Sequence, residues 1–469
     1  FTFGCTFAGY RGFGDPKFKR QLTGVIMPRR ILMIAAVSIL FSGCDTIKDI
    51  VGSDSEPAPL PGKRISILAL EHKLEPDLEI ADQPVRLPRP NLNPEWLQSS
   101  GVPTHVMQHP AADGELVQFW SHDIGAGETK NNFILSSPVI AGGVLFAIDS
   151  KNVVSAMDLE KKKTIWRASL IPKGESEEGA LGGGLAYNEE TLYVTTSFGY
   201  VLALNPENGG VYWWRRLGVP IRSAPTVVDG RVFVLSIDNQ VYALSFRDGT
   251  TLWNHAGVSE SAGVLGSATP AVSGELVIVP YSSGELFAMR VENGRIAWSD
   301  SLIFQGRLGA STVLNDIDAS PVIEGNVVYA VSNSGRLVAI DARSGTRIWD
   351  QEISSTSTPW LAGDYLYLMT TDNNLVCIRR SDGRIRWVQP VPAYVKPEDQ
   401  EKPIVWTRPI LVGDRLIIGS SYGEVRAVSP YTGRMLGRIK LSSGIRVPPI
   451  AAGGSVYILT TKAKIVALR

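Results

Sequence analysis

From about residue 115 the chain alternates short apolar runs with small polar turns. The clearest stretch begins Ala319-Ser320-Pro321-Val322-Ile323-Glu324-Gly325 and continues through Asn326-Val327-Val328-Tyr329-Ala330-Val331. A turn at Ser332-Asn333-Ser334-Gly335 leads into Arg336-Leu337-Val338-Ala339-Ile340-Asp341, and a second at Ser344-Gly345 into Thr346-Arg347-Ile348-Trp349. β-Branched and aromatic residues within the runs, with Gly, Asn and Asp between them, predict four short strands.

The unit recurs, and each copy ends in a tryptophan four residues after a turn position. The pairs are Lys162/Trp166, Gly209/Trp213, Gly249/Trp253, Gly294/Trp298, Gly345/Trp349 and Gly383/Trp387; the seventh has Gly433 but Gly437 where tryptophan would stand. Intervals of 38 to 51 residues with four strands per unit predict the blades of a propeller. Eight lead-ins follow in order: Ser137-Pro138, Gly184-Leu185, Ala224-Pro225, Thr269-Pro270, Ser320-Pro321, Thr358-Pro359, Arg408-Pro409 and Pro448-Pro449. The last copy stops at Arg469 after Ile465-Val466-Ala467-Leu468, one strand short, while Leu116-Val117-Gln118-Phe119-Trp120 stands as an orphan upstream. The expected fold is therefore all-β: an eight-bladed propeller over 113–469, closed by the N-terminal strand so that no sheet edge is left open at the seam. The tryptophans are read as packing between neighbouring blades, where a large buried side chain contributes roughly 1.5–3 kcal/mol.

The N-terminal part has no such period. Residues 1–26 read as an upstream extension, with Met27 as the expected start. Arg29 and Arg30 precede the apolar run Ile31 to Phe41, which is too short for a membrane span of about 20 residues and fits a cleaved signal over 27–43. The run ends Leu40-Phe41-Ser42-Gly43-Cys44 and resembles a bacterial lipobox, which implies acylation of Cys44. Two or more acyl chains make a stable anchor where one does not. The expected location is the outer membrane, lipid-anchored and facing the periplasm. Asp45 leaves the inner membrane open, because in enteric bacteria an aspartate there tends to retain lipoproteins. Residues 44–112 read as a Pro-rich tether and irregular segment, with Trp96 a candidate anchor on the domain.

Composition excludes more than it assigns. Lys plus Arg is 46 and Asp plus Glu is 46, so the basic excess that nucleic-acid binding needs is missing. Three cysteines, Cys5, Cys44 and Cys377, cannot make a disulfide framework or a four-ligand zinc site, and Cys377 lies in an apolar strand-like run. The five histidines lack metalloprotease spacing, and Gly182-Gly183-Gly184 lacks the Lys-Ser/Thr of a phosphate loop. This reading assigns no catalytic residue, cofactor or metal.

The stretch Ala339-Ile340-Asp341-Ala342-Arg343-Ser344-Gly345-Thr346-Arg347-Ile348-Trp349 resembles the repeat of pyrroloquinoline-quinone (PQQ) enzymes. Those dehydrogenases bind the quinone with calcium, and many use an adjacent-cysteine disulfide; no Cys-Cys pair occurs here. A lipobox, a tether and one such propeller together resemble the BamB family of outer-membrane protein assembly factors. The resemblance implies a non-enzymatic lipoprotein scaffold that binds the central β-barrel subunit of the assembly machinery (BamA-like) and helps nascent outer-membrane proteins to assemble. It places the contact on Ala262, Val264 and Leu265, in an apolar stretch before Thr269-Pro270, and on Asp316 and Asp318 before Ser320-Pro321. Turn hydrogen bonds are the competing role for the two aspartates. The alternatives are a PQQ-dependent dehydrogenase-like subunit and a propeller scaffold of another envelope complex.

Overall fold

Each repeat folds as an antiparallel meander whose strands bury apolar side chains on both faces of a small sheet. The computed structural model describes residues 74–469 except 113, 177, 180, 260–267 and 304–315. The signal segment and Cys44 lie outside the described residues. Eight four-stranded sheets follow one another: blade 1 over 139–169, blade 2 over 183–216, blade 3 over 226–256, blade 4 over 271–301, blade 5 over 322–351, blade 6 over 360–390 and blade 7 over 410–440. Blade 8 takes three strands from 450–468 and its outermost strand, Gln118–Asp123, from the other end of the chain. That strand pairs antiparallel with Lys464–Leu468, placing Trp120 opposite Ala467. The expected closure is thus the observed one. An additional hairpin, Tyr394–Lys396 paired with Glu401–Pro403, sits in the connection between blades 6 and 7.

The tryptophan period has a structural cause. In each blade Trp stands opposite a small residue on the third strand: Ala156, Ala203, Ala243, Ala288, Ala339 and, in blade 6, Cys377. Cys377 is a buried free thiol whose pKa is pushed well up by burial. The indole N–H of each Trp donates to a carbonyl of the next blade: Trp166 to Pro206, Trp213 to Phe246, Trp253 to Val291, Trp298 to Ala342, Trp349 to Arg380 and Trp387 to Pro430, at 2.7–3.1 Å. The ring then lies over the turn glycine of that next blade.

The exception explains itself in the same terms. Blade 7 carries Gly437 in the tryptophan position, and a Cβ there would meet nothing within 4 Å. Its neighbour, blade 8, has no continuous turn between third and fourth strands, because these come from opposite ends of the chain. Val117 and Arg469 bridge that gap with a pair of backbone hydrogen bonds of 2.9 and 3.0 Å.

The Ser/Thr-Pro lead-ins also find a role. The Ser320 hydroxyl accepts from the Thr269 N–H, and the Thr358 hydroxyl from the Ser320 N–H, at 2.9 and 3.0 Å, so consecutive blades are latched where their innermost strands begin.

Candidate partner-binding face

An antiparallel meander puts first-to-second and third-to-fourth turns at one end of every blade, and the second-to-third turns and inter-blade connections at the other. The first end is covered by the chain itself. Residues 93–110, read from sequence as part of a tether, bond to all eight blades. Trp96 exchanges two backbone hydrogen bonds of 2.8 Å with Ile140 in blade 1, and Leu97 O accepts from Tyr187 in blade 2. The Gln98 amide spans both backbone groups of Val227 in blade 3. Pro103 O accepts from Val272 and Thr104 O from Ile323, in blades 4 and 5. Gln108 O accepts from the Trp360 indole in blade 6, Pro110 O from Gly413 in blade 7, and Asn93 O from Gly453 in blade 8. Trp96 is fully buried and stacks on Trp360, with centroids 6.3 Å apart.

Two histidines of this segment are structural. His109 donates from Nδ1 to Pro88 O and accepts at Nε2 from the Asp414 N–H, so both ring nitrogens are engaged. Buried His105 donates from Nδ1 to Pro321 O at 2.7 Å, and burial, reinforced by the charge of Arg408, pushes its pKa down to about 4. Arg408 itself bonds Ser99 O and Ser100 Oγ of the crossing segment, and burial pushes its pKa down to about 10.

Of the sequence-predicted site residues, Asp316 and Asp318 lie at the opposite end. Ala262, Val264 and Leu265 lie outside the described residues. Asp316 is 3% exposed, and its backbone carbonyl accepts from the Asn333 N–H of blade 5 at 3.0 Å. Asp318 is half-buried, and its Oδ2 is buried without a hydrogen-bond partner among the described residues. Burial, then the negative charge of Asp316, pushes its pKa up to about 7, opposed by Arg222 from the lead-in to blade 3. The structure therefore separates two aspartates that the sequence treated alike: one is interior, the other presents a poorly satisfied carboxyl. Sequence reading missed Arg222 and Arg408, and their signal was a lone arginine one to three residues before a lead-in proline. Exposed Ile237, Val258, Val405 and Tyr422 add apolar surface to the turns and connections of this same end.

A ring of eight PQQ-type blades, crossed at one end by its own N-terminal segment and formed at the other, among the described residues, by turns and inter-blade connections, is a β-propeller of the PQQ-repeat class. The family model described as "Outer membrane protein assembly factor BamB" matches residues 150–389. The chain belongs to that family. It is 28% identical over 346 residues to the outer membrane protein assembly factor BamB of Yersinia pestis, covering 72% of this chain and 85% of that one. The crystal structure of BamB from Moraxella catarrhalis superposes with a TM-score of 0.63 at 19% identity, covering 76% of this chain and all of that one. A europium-containing methanol dehydrogenase superposes with a TM-score of 0.62 at 15% identity, covering 78% and 89%. At that identity the likeness is one of fold, and fold alone does not carry chemistry. Among the described residues no three His, Cys, Asp or Glu side chains are grouped to hold a metal ion.

Proposed function

We propose that this chain is a non-enzymatic scaffold lipoprotein of the outer-membrane β-barrel assembly machinery. It is held at the membrane through acylated Cys44, faces the periplasm, and docks on the central barrel subunit to assist assembly of outer-membrane proteins. The docking surface is the uncovered end of the propeller, with Asp318, Asp316 and the segment containing Ala262, Val264 and Leu265. One observation carries this reading: the chain's own residues occupy one end of all eight blades, leaving the opposite end as the presenting face, where Asp318 Oδ2 has no hydrogen-bond partner among the described residues. Leaving a buried carboxylate unsatisfied costs free energy, and a partner supplying a donor or cation recovers it. Family membership supports the assembly role, and the relatives' names describe assembly factors rather than dehydrogenases.

The test is binding of the purified full chain to the periplasmic domains of a central barrel subunit. Leu265→Asp and Asp318→Arg are expected to weaken it at least tenfold, the latter less so in high salt. Wild-type affinity in both folded variants overturns the proposed site.

A further inference from the structure

The outermost strands of the blades differ in how their free edges are closed. Blade 6 is covered by the chain itself: Asp77 N–H donates to Ile385 O at 2.8 Å and the Arg386 Nε to Gln83 O at 2.7 Å. Blades 4 and 5 are tied by Arg347, which bonds Asp300 and Ser301 O. Blades 8 and 1 are tied by Arg167 to Asp123 O and by His122 to Thr164. Blade 3 places polar Asn254 on its edge strand.

Among the described residues the outer strand of blade 2 makes no such contact. Its outer strand reads Val-Tyr-Trp-Trp-Arg-Arg over Val211–Arg216. Trp213 bonds the next blade, but Tyr212 is 57% and Trp214 61% exposed. Trp214 packs edge-on against Tyr200 at 5.7 Å, and Arg216 lies over the same ring at 5.7 Å, so both are pre-ordered. Arg215 and Arg216 are exposed, and no salt bridge joins them to a carboxylate among the described residues. Every outer strand bulges at the residue before its tryptophan position in blades 1 to 7, which here is Tyr212; beyond it the pairing with Tyr200–Ala203 is regular.

An uncapped edge offers unpaired backbone N–H and C=O groups to an incoming strand, and proteins normally protect such edges. Strand addition draws affinity from the backbone and specificity from side chains at alternate positions. We propose that the outer edge of blade 2 receives an extended polypeptide by strand addition, its alternate apolar and aromatic side chains packing on Tyr212 and Trp214 and an acidic group meeting Arg215 and Arg216. Alternation of apolar and polar residues with aromatic ends is the chemistry of an outer-membrane β-strand before it folds. The inference rests on the assembly reading above, to which it adds the class of substrate and a second site, on the outer edge of blade 2.

The experiment uses the purified full chain and a fluorescent twelve-residue peptide of alternating Tyr/Val/Phe and Thr/Ser ending in Asp-Glu. Two controls accompany it: one of the same composition with alternation scrambled, and one with two central prolines, which cannot pair in a sheet. The alternating peptide is expected to bind and both controls to bind at least tenfold more weakly. Trp214→Asn, which copies the residue blade 3 uses, and Arg216→Glu are each expected to weaken binding at least tenfold without changing the thermal melt, whereas Leu436→Asn on blade 7 leaves it unchanged. Equal binding of all three peptides, or wild-type binding by Trp214→Asn and Arg216→Glu, overturns the proposal. So does a Trp214-dependent affinity for phosphatidylglycerol-containing vesicles with no peptide binding, which would make this a lipid contact. Loss of barrel-subunit docking in Asp318→Arg is a separate measurement, so either reading can fail alone.

Discussion

Trp213 lies against Gly249 of the following blade so closely that a Cβ on the glycine would fall 2.6 Å from its ring. Gly249 also sits at φ +70°, where an L-residue is strained. Both demands act at once in six successive blades, with approaches of 2.6–2.8 Å at Gly209, Gly249, Gly294, Gly345, Gly383 and Gly433.

Gly249→Ala is therefore expected to destabilise by about 2–4 kcal/mol, combining left-handed strain with overpacking. Gly437→Ala, with open space and no such φ, should change stability by less than about 0.5 kcal/mol. Matched denaturant titrations of the two variants check the contrast.

Trp96→Ala should cost about 3–5 kcal/mol, as expected for deleting a fully buried tryptophan. Deletion of 45–72 should leave the denaturation midpoint in place, whereas deletion of 45–112 should lower it, because the longer cut removes the bonds to all eight blades. Equal midpoints for the two deletions would show that the crossing segment is ornamental to stability.

Buried His105 and half-buried Asp318 give stability opposite pH slopes. His105 falls from 6.5 to about 4 on folding, so the unfolded chain binds more protons between those values. Its contribution, about 3 kcal/mol, is complete above pH 6.5 and is lost as pH falls toward 4. Asp318 rises from 3.8 to about 7, so the folded chain binds more protons in that window, and stability falls as pH rises through it. Asp318→Asn should accordingly stabilise the fold by about 1–3 kcal/mol at pH 8 while weakening docking, since the strained charge is what a partner would satisfy. Denaturation midpoints of wild type, His105→Gln and Asp318→Asn from pH 4 to 8 resolve the two slopes.

Acylation at Cys44 is tested in cells. Cys44→Ala should move the protein out of the membrane fraction and remove the lipid mass from its N-terminus. An unmodified mature terminus in the wild type would refute the anchor.

The ring was legible because its signal is carried by side chains that repeat: tryptophan, the turn glycine four residues before it, and Ser/Thr-Pro at the lead-ins. Even so, the spacing of four is not the contact. Gly249 serves Trp213, one blade back, and not Trp253 beside it in sequence. The crossing segment was not legible, because Leu97, Pro103, Thr104 and Pro110 hold the blades through backbone carbonyls that any residue possesses. Trp96 alone betrayed it. In the connection before blade 5, Asp316-Ile317-Asp318 could not say in sequence which aspartate is the more buried, since that depends on packing with residues such as Arg222, brought in from elsewhere in the ring.

The seam of blade 8 also sets a schedule. A chain that emerges N-terminus first delivers Gln118–Asp123 well before its partner Lys464–Leu468, with seven whole blades made in between. Until then the strand is an exposed edge with nowhere to pair, and the contact that closes the circle is among the most non-local in the molecule. Such contacts are slow to form and leave unpaired strands open to aggregation meanwhile. The ring can therefore shut only once Lys464–Leu468 has been made, and a product that stops before that strand lacks not a tail but its clasp.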